Sequence, residues 1–233
     1  MSIRFVVTTG AVVAALVFVA AAALAHGASS TGAGFSPHVT NPWFPLTPGT
    51  VYTYRGEKDG QPSHETLTVT QRTKTVAGAP CVVVHDLLWV NGHLVEQTDD
   101  WYSQDAKGNV WYFGEDTAEL DGKGHVTTHE GSWQAGQRDA RAGILMPAHP
   151  RVGQAALEEY DKGHAEDHFK VVSLHASVHV PYTSSKAALL TEEWSPLEAG
   201  VLDHKVYVRG VGTVLERTVK GGNETNELVS VRR

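Results

Sequence analysis

The sequence predicts an all-β protein: an antiparallel lipocalin-like barrel or strongly curved sheet of about ten to twelve strands, with a Pro-rich N-terminal extended segment. First, apolar and polar residues alternate with a period of two over most of the chain after residue 50. Second, turn residues such as Asn91 and Gly92 separate these runs at short intervals. Third, no stretch keeps the 3.6-residue period of an amphipathic helix, although residues 155–160 and 188–193 could each form one helical turn.

Residues 1–25 have the pattern of a signal peptide. Arg4 precedes an uncharged, alanine-rich apolar run over residues 10–24, and the small residues of Ala23-Leu24-Ala25 end it. This order of a basic start, an apolar run and a small-x-small site predicts cleavage before His26. The mature chain is therefore predicted to be secreted, periplasmic or held in the cell envelope.

An uncleaved membrane anchor is the alternative for this segment. The apolar run from Phe5 is just long enough to span a bilayer, but the polar residues Thr8 and Thr9 dilute its start. Cleavage is the favoured interpretation, and no cysteine lies near the site to carry a lipid. We expect no membrane association after cleavage.

The charge of the chain restricts its partners. The formal net charge is −7 at pH 7, and removal of Arg4 with the signal peptide makes it one unit more negative. Nucleic acids and anionic membrane surfaces reward a basic patch, so neither is a predicted partner. A small-molecule ligand, neutral or cationic, is compatible with this charge.

Cys81 is the single cysteine and is followed by three valines, which predicts a buried hydrophobic side chain rather than a reactive thiol.

A single β-rich domain is predicted from residue 41 to residue 233. Residues 26–40 are rich in Gly, Ala, Ser and Thr and are predicted to be a flexible lead-in. Residues 41–49 contain three prolines beside Trp43 and Phe44, which predicts an extended segment that plugs one end of the core. Predicted strands cover residues 50–55, 65–72, 81–90, 93–105, 109–114, 152–161, 168–180, 187–194, 204–209, 211–219 and 227–231.

Two further expectations concern the interior. Residues 132–150 break the alternation and are predicted to form a long, partly buried loop, a kind of segment that is uncommon unless it is functional. In the strand over residues 168–180, Val172 and Leu174 are predicted to point inward. The predicted core consists of Trp43, Phe44, Leu67, Val69, Val83, Trp101, Trp111, Phe113, Val172 and Leu174.

The sequence of residues 99–116 predicts a β-hairpin with aromatic residues on both strands. A type I turn over residues 105–109, with Gly108 in the left-handed conformation, sets the register. That register pairs Tyr102 with Tyr112, Ser103 with Trp111, Trp101 with Phe113, and Asp99 with Glu115. The face with the tryptophans is explained by packing or by the wall of an internal cavity.

The tyrosine face of this hairpin is the predicted ligand wall. Tyr102 and Tyr112 offer hydroxyl groups beside Gln104 and Asp100, and such groups orient a polar part of a ligand. These four residues are the candidate ligand-binding residues.

Carboxylates gather at the open end of the hairpin, at Asp99, Asp100, Glu115 and Asp116. One interpretation is a Ca²⁺ site formed by Asp99, Glu115 and Asp116, because hard cations take carboxylate oxygens. A second is a carboxyl group with a raised pKa that acts as a general acid or base in a hydrolase-type enzyme. A third is that alternate acids point to opposite faces and pair with Arg or Lys from elsewhere.

A copper site at the new N-terminus is a further hypothesis. Cleavage before His26 would expose a histidine with a free α-amino group, which is the arrangement of copper histidine-brace sites. The flexible residues that follow His26 argue against it, because they do not fix its position.

Three sequence blocks together are similar to a known group. They are residues 41–49, residues 100–116 without the turn, and residues 143–150 with 163–167. In these blocks the chain resembles a widespread family of secreted bacterial proteins of unassigned function. The resemblance implies an exported, mostly β protein, and it implies no catalytic residues.

The predicted function is the binding of a small, partly apolar ligand in the barrel or sheet concavity, without catalysis. The Pro-rich segment and residues 132–150 would line its mouth. The alternative is a metal-binding protein or hydrolase-type enzyme built on the carboxylates of the hairpin together with Glu166 and Asp167. A structural or interaction protein of the cell envelope is the third class.

Overall fold

The computed structural model describes residues 34–233, which form an all-β domain and confirm the predicted fold class. The described residues form sixteen strands rather than the predicted ten to twelve, because several short strands lie where loops were predicted. All strand pairs are antiparallel and belong to one continuous sheet. The strands are β1 (Phe35–Ser36), β2 (Val51–Lys58), β3 (Gln61–Val76), β4 (Ala79–Val90), β5 (His93–Asp105), β6 (Val110–Leu120), β7 (Val126–Thr128), β8 (Trp133–Gln134), β9 (Arg141–Met146), β10 (Ala155–Leu157), β11 (Glu159–Tyr160), β12 (His168–His179), β13 (Ser184–Trp194), β14 (Leu202–Val208), β15 (Gly212–Lys220) and β16 (Thr225–Arg232). The predicted signal peptide and His26 lie outside the described residues.

The sheet curls into a nearly closed barrel. Its strands follow one another in the order β12-β13-β14-β15-β16-β2-β3-β4-β5-β6-β9. The segment 155–160 joins the two ends, because β10 pairs with β12 while β11 pairs with β9. A Cβ at Gly143 would collide with the backbone carbonyl of Glu158, so glycine is what permits this close approach. The join is a short strand shared between both edges rather than a full-length strand.

The N-terminal part of the domain plugs one end of the barrel, as the prolines predict. Trp43, Phe44 and Leu46 are all buried, and Leu46 forms a bridge with Val39. The ordered domain begins earlier than predicted, since Phe35 and Ser36 pair with β5. These last two residues belong to the predicted flexible lead-in, of which residues 34–40 are described.

The predicted loop over residues 132–150 is wrong in one respect, because it contains two strands. The short strand β8 pairs with β6, and β9 is a full member of the barrel wall. Leu145 and Met146 are adjacent in sequence and both buried. A run of neighbouring buried residues shows no alternation, so the pattern resembled a loop rather than a strand.

Most of the predicted core is buried, and the exceptions have a local cause. Trp111 and Leu174 pack against the core while remaining partly exposed. In β12 the inward residues are Phe169 and Val171 rather than Val172. Register shifts in the pairing of β12 with β13 change which residues point inward along the strand, and a uniform alternation cannot anticipate them.

Candidate functional site

The hairpin of β5 and β6 has the predicted register near its turn and a different one at its open end. Tyr102 pairs with Tyr112 and Ser103 with Trp111, but Asp99 faces Asp116 instead of Glu115. A bulge on β6 at Gly114, whose φ is +130°, causes this one-residue shift. A Cβ at Gly114 would also collide with the carbonyl oxygen of Trp133, since β8 passes directly over it.

The tyrosine face of the hairpin is filled by packing. The rings of Tyr102 and Tyr112 stack with their centroids 4.8 Å apart. Phe44 meets the Tyr102 ring edge-on at 5.4 Å, and Trp133 meets the Tyr112 ring at 5.5 Å. Both tyrosines are 1% exposed, so this face presents no free surface to a ligand.

The polar members of the predicted ligand wall have structural partners. The Tyr112 hydroxyl donates to Asp100 Oδ1 over 2.6 Å. Burial raises the pKa of Asp100 above its ordinary value, although the hydroxyls of Tyr112 and Tyr102 act against this rise. Gln104 Oε1 accepts hydrogen bonds from the backbone N–H groups of Thr40 and Asn41, each at 2.8 Å. Gln104 therefore fastens the N-terminal segment to the hairpin.

The carboxylates at the open end of the hairpin do not form one cluster. Asp99 points outward and accepts hydrogen bonds from Arg72 at 2.8 Å and from His85 at 2.7 Å. Partial burial raises its pKa, but these two bonds bring the net pKa below the ordinary value. Asp116 lies opposite Asp99 on the same face, whereas Glu115 is buried on the inner face. Alternate acids thus point to opposite faces and Asp99 pairs with Arg72, as the third interpretation predicts, but Asp100 is bonded to Tyr112 rather than to a basic residue.

The predicted Ca²⁺ site is therefore not assembled. Asp99 and Asp116 lie on one face of the sheet, and Glu115 lies on the other. Within residues 34–233, no group of three or more His, Cys, Asp or Glu side chains is arranged to hold a metal ion. The copper hypothesis rests on His26, which the structure does not describe.

A cleft exists elsewhere in the barrel, between the Pro-rich segment and the strands of the opposite wall. It encloses about 560 Å³ of unfilled space including its mouth, of which about 30 Å³ is wide enough for the centre of a water molecule. The cleft is thus a narrow slot rather than a wide chamber. The walls consist mainly of apolar and aromatic side chains: Phe44, Pro45, Leu46, Tyr52, Tyr54, Leu67, Leu145, Tyr207 and Val211.

One end of the cleft is polar. Lys205, Glu216 and Asn226 line it, and they are direct cross-strand neighbours on β14, β15 and β16. On β15, Glu216 lies three residues beyond Thr213, which also lines the cleft; at the usual rise of a strand this separation is about 10 Å. The inner face of the sheet therefore changes from apolar to polar along the cleft.

Lys205 is the centre of a buried ion-pair network at this polar end. Its Nζ lies 2.5 Å from Glu193 Oε2 and 3.5 Å from Glu216 Oε1. Burial alone would lower the pKa of Lys205, but the carboxylates of Glu193, Glu216 and Glu158 raise it well above its ordinary range. Burial raises the pKa of Glu216 to about 8, with Lys205 opposing the rise. Lys205 is thus held mainly by Glu193, and burial favours the protonated form of Glu216.

A pair of buried carboxyl groups continues the polar region onto β3 and β4. The Nδ2 of Asn226 donates to Glu65 Oε2. Glu65 and Asp86 lie close enough to perturb each other's pKa. Burial raises the pKa of Glu65 to about 7 and that of Asp86 well above its ordinary value. These groups connect the cleft to the carboxylates of the hairpin.

A second, more polar cleft lies on the other side of the ion-pair network. Lys205 and Glu216 line both clefts, so they form a partition between them. Asp167 lines the second cleft, whereas Glu166 accepts a hydrogen bond from the backbone N–H of Gly163 at 2.6 Å and closes a turn. The enzyme hypothesis groups Glu166 and Asp167 with the carboxylates of the hairpin. The two residues have different surroundings, since Asp167 lines a cleft and Glu166 closes a turn.

The residues at the polar end of the cleft are not among the site residues predicted from the sequence. A signal existed, because Glu65 has the same phase as Leu67 and Val69 in one alternating strand. Lys205 likewise has the phase of Tyr207. A charged residue in phase with a buried face indicates an interior polar site, and such residues are costly unless paired.

Cys81 is fully buried, and burial raises the pKa of its thiol to about 12. Both observations confirm the prediction of a buried hydrophobic side chain.

No helix long and apolar enough to cross a membrane occurs among the described residues.

Comparison with known proteins gives structural neighbours only. No family model matches the chain, and no curated protein matches it. A predicted exported protein with a YmcC-like fold from Bacteroides fragilis is 13% identical, covers 82% of this chain and 99% of its own, and has a TM-score of 0.48. A predicted lipoprotein from Parabacteroides distasonis is 13% identical, covers 82% of this chain and 98% of its own, and has a TM-score of 0.43.

Proposed function

We propose that the protein is an exported binding protein for a small, partly apolar ligand, which occupies the cleft beneath the Pro-rich segment. The observation that carries this proposal is a cleft with apolar walls that ends in a few convergent polar groups, Lys205, Glu216 and Asn226. Ligand sites are mostly apolar concavities in which a small number of polar groups fix the orientation.

The shape of the cleft favours a slender ligand. Little of its unfilled volume is wide enough for a water molecule, so a bulky ring system would require the walls to move. An alkyl chain is also wider than a water molecule, but it requires the smallest separation of the walls and needs only apolar neighbours such as Leu67, Leu145 and Val211. The Pro-rich segment and β9 both contribute to these walls, as the sequence analysis anticipated for the mouth.

Export is the second part of the proposal. It rests on the signal-peptide pattern of residues 1–25 and on the resemblance of three sequence blocks to secreted bacterial proteins. The intact mass of the protein recovered from its producing cell tests this part: a chain that begins at His26 supports export with cleavage, and a chain that retains residues 1–25 contradicts it.

Titration calorimetry with three nine-carbon probes tests ligand binding. The probes are 1-nonanol, nonanoate and nonylammonium, which share one chain and differ in head-group charge. At least one probe is expected to bind, and Val211→Trp, which fills the cleft, is expected to weaken that binding by at least about tenfold. Val219→Trp is the matched control, because Val219 is 43% exposed and does not line the cleft.

Binding that Val219→Trp and Val211→Trp affect equally would contradict the assigned cleft. Failure of all three probes to bind would contradict the proposed function itself.

A further inference from the structure

Charge at the polar end of the cleft restricts the head group of a ligand. Lys205 is already paired with Glu193 at 2.5 Å, so its charge is compensated within the wall. A carboxylate head group would place a second acceptor against the unpartnered Oδ1 of Asn226, and an ammonium head group would meet the charge of Lys205. Either charge would also lose its hydration on entering a buried site, which costs several kcal/mol unless a free partner of opposite sign is present.

The polar end offers one donor and one acceptor to an uncharged group. Glu216 lines the cleft, and a protonated carboxyl donates a hydrogen bond. Asn226 is its direct cross-strand neighbour, and among the described residues the buried Oδ1 of Asn226 has no hydrogen-bond partner. A buried acceptor without a partner is costly, so a ligand that supplies a donor there gains affinity.

We propose that the cleft binds a neutral amphipathic alcohol, whose hydroxyl group accepts a hydrogen bond from Glu216 and donates one to Asn226. This inference rests on the proposed ligand cleft and names the class of ligand that it takes. A hydroxyl group fits because it is both donor and acceptor and brings no charge. The alkyl part lies along the apolar walls toward Pro45 and Val211.

Proton loss from Glu216 then weakens binding. The charged and titratable groups that face Glu216 come from three strands: Lys205, Asp203 and Tyr207 on β14, Glu193 on β13, and Tyr54 on β2. Glu65 on β3, whose pKa is raised to about 7, is bonded to Asn226 and also titrates in this range. The pKa values of Lys205 and both tyrosines are raised, so these groups keep their protons when Glu216 titrates near pH 8. Above that pH the carboxylate can no longer donate to the hydroxyl group.

The test compares head groups and pH with the full mature chain. At pH 6.5, 1-nonanol is expected to bind at least about tenfold more tightly than nonanoate or nonylammonium. Between pH 6.5 and pH 9.0, the dissociation constant of 1-nonanol is expected to rise about tenfold, because the protonated fraction of Glu216 falls by that factor. The probe itself does not titrate in this range.

Two glutamine variants test whether Glu216 causes the pH dependence of 1-nonanol binding. Glu216→Gln keeps an uncharged donor at every pH, so the ratio of dissociation constants between pH 9.0 and pH 6.5 is expected to fall toward one. Glu224→Gln is the control, because Glu224 also has a raised pKa of about 7 but does not line the cleft, and it is expected to keep the full ratio.

Tighter binding of a charged probe, or a pH ratio that persists in Glu216→Gln, would overturn this inference and leave the proposed ligand cleft standing. Absence of binding by every probe would instead remove the proposed function on which it rests.

Discussion

Two halves of the same barrel interior carry similar residues and differ in how they are filled. In the hairpin half, Tyr102 and Tyr112 stack, and Phe44 and Trp133 close over them. In the cleft half, tyrosines and carboxyl groups again line the inner face, but unfilled space remains among them. The Pro-rich segment borders both halves through Phe44, and the difference comes from β8, which adds Trp133 to the hairpin half.

This comparison shows that residue type alone does not locate a ligand site. A dense group of aromatic residues is the stronger signal in sequence, yet it produces a solid core here. The cleft half holds its polar groups by a buried ion-pair network centred on Lys205, which the sequence shows only as one lysine in a short strand. Unfilled space, rather than aromatic content, distinguishes the candidate site.

The largest expected effect is the loss of stability when the buried ion-pair network of the cleft half is broken. Lys205→Met removes the buried cation and leaves Glu193 without its partner at 2.5 Å, so we expect a loss of about 3–5 kcal/mol in the free energy of unfolding, measured by urea denaturation. Arg72→Met is the control, because the Arg72–Asp99 pair lies on the outer surface and contributes at most about 1 kcal/mol. Equal losses in the two variants would contradict a structural role for the buried network.

A smaller effect tests the difference in filling. Val110 is fully buried in the hairpin half, and Val110→Phe is expected to cost about 1–3 kcal/mol through overpacking. Val211 lines the cleft and is partly exposed, and Val211→Phe is expected to cost less than about 1 kcal/mol because the added ring can lie toward the open mouth. Urea denaturation of both variants measures the contrast, and a reversed order would show that the cleft is not the looser half.

The sequence predicts the β class, the Pro-rich plug, the buried Cys81 and the hairpin register near its turn, because these depend on local alternation and turn chemistry. The bulge at Gly114 was not predictable, since it reflects the passage of β8 over β6. Closure by residues 155–160 likewise depends on two strands far apart in sequence.

The candidate site was harder to predict than the fold. Its polar end joins Lys205, Glu216 and Asn226 from three strands, and its walls also need residues near position 45 and position 67. No local pattern links such positions, so only their common inward phase could have suggested the grouping.

Methyl NMR during titration with 1-nonanol tests the central claim most directly, namely that one half of the interior is a ligand cleft and the other is solid core. We expect saturable shifts in the methyl signals of Leu67, Leu145 and Val211, which line the cleft, and unchanged signals for Val82 and Val110 in the hairpin half. Saturable shifts centred on Val82 and Val110, with the cleft signals unchanged, would contradict the account.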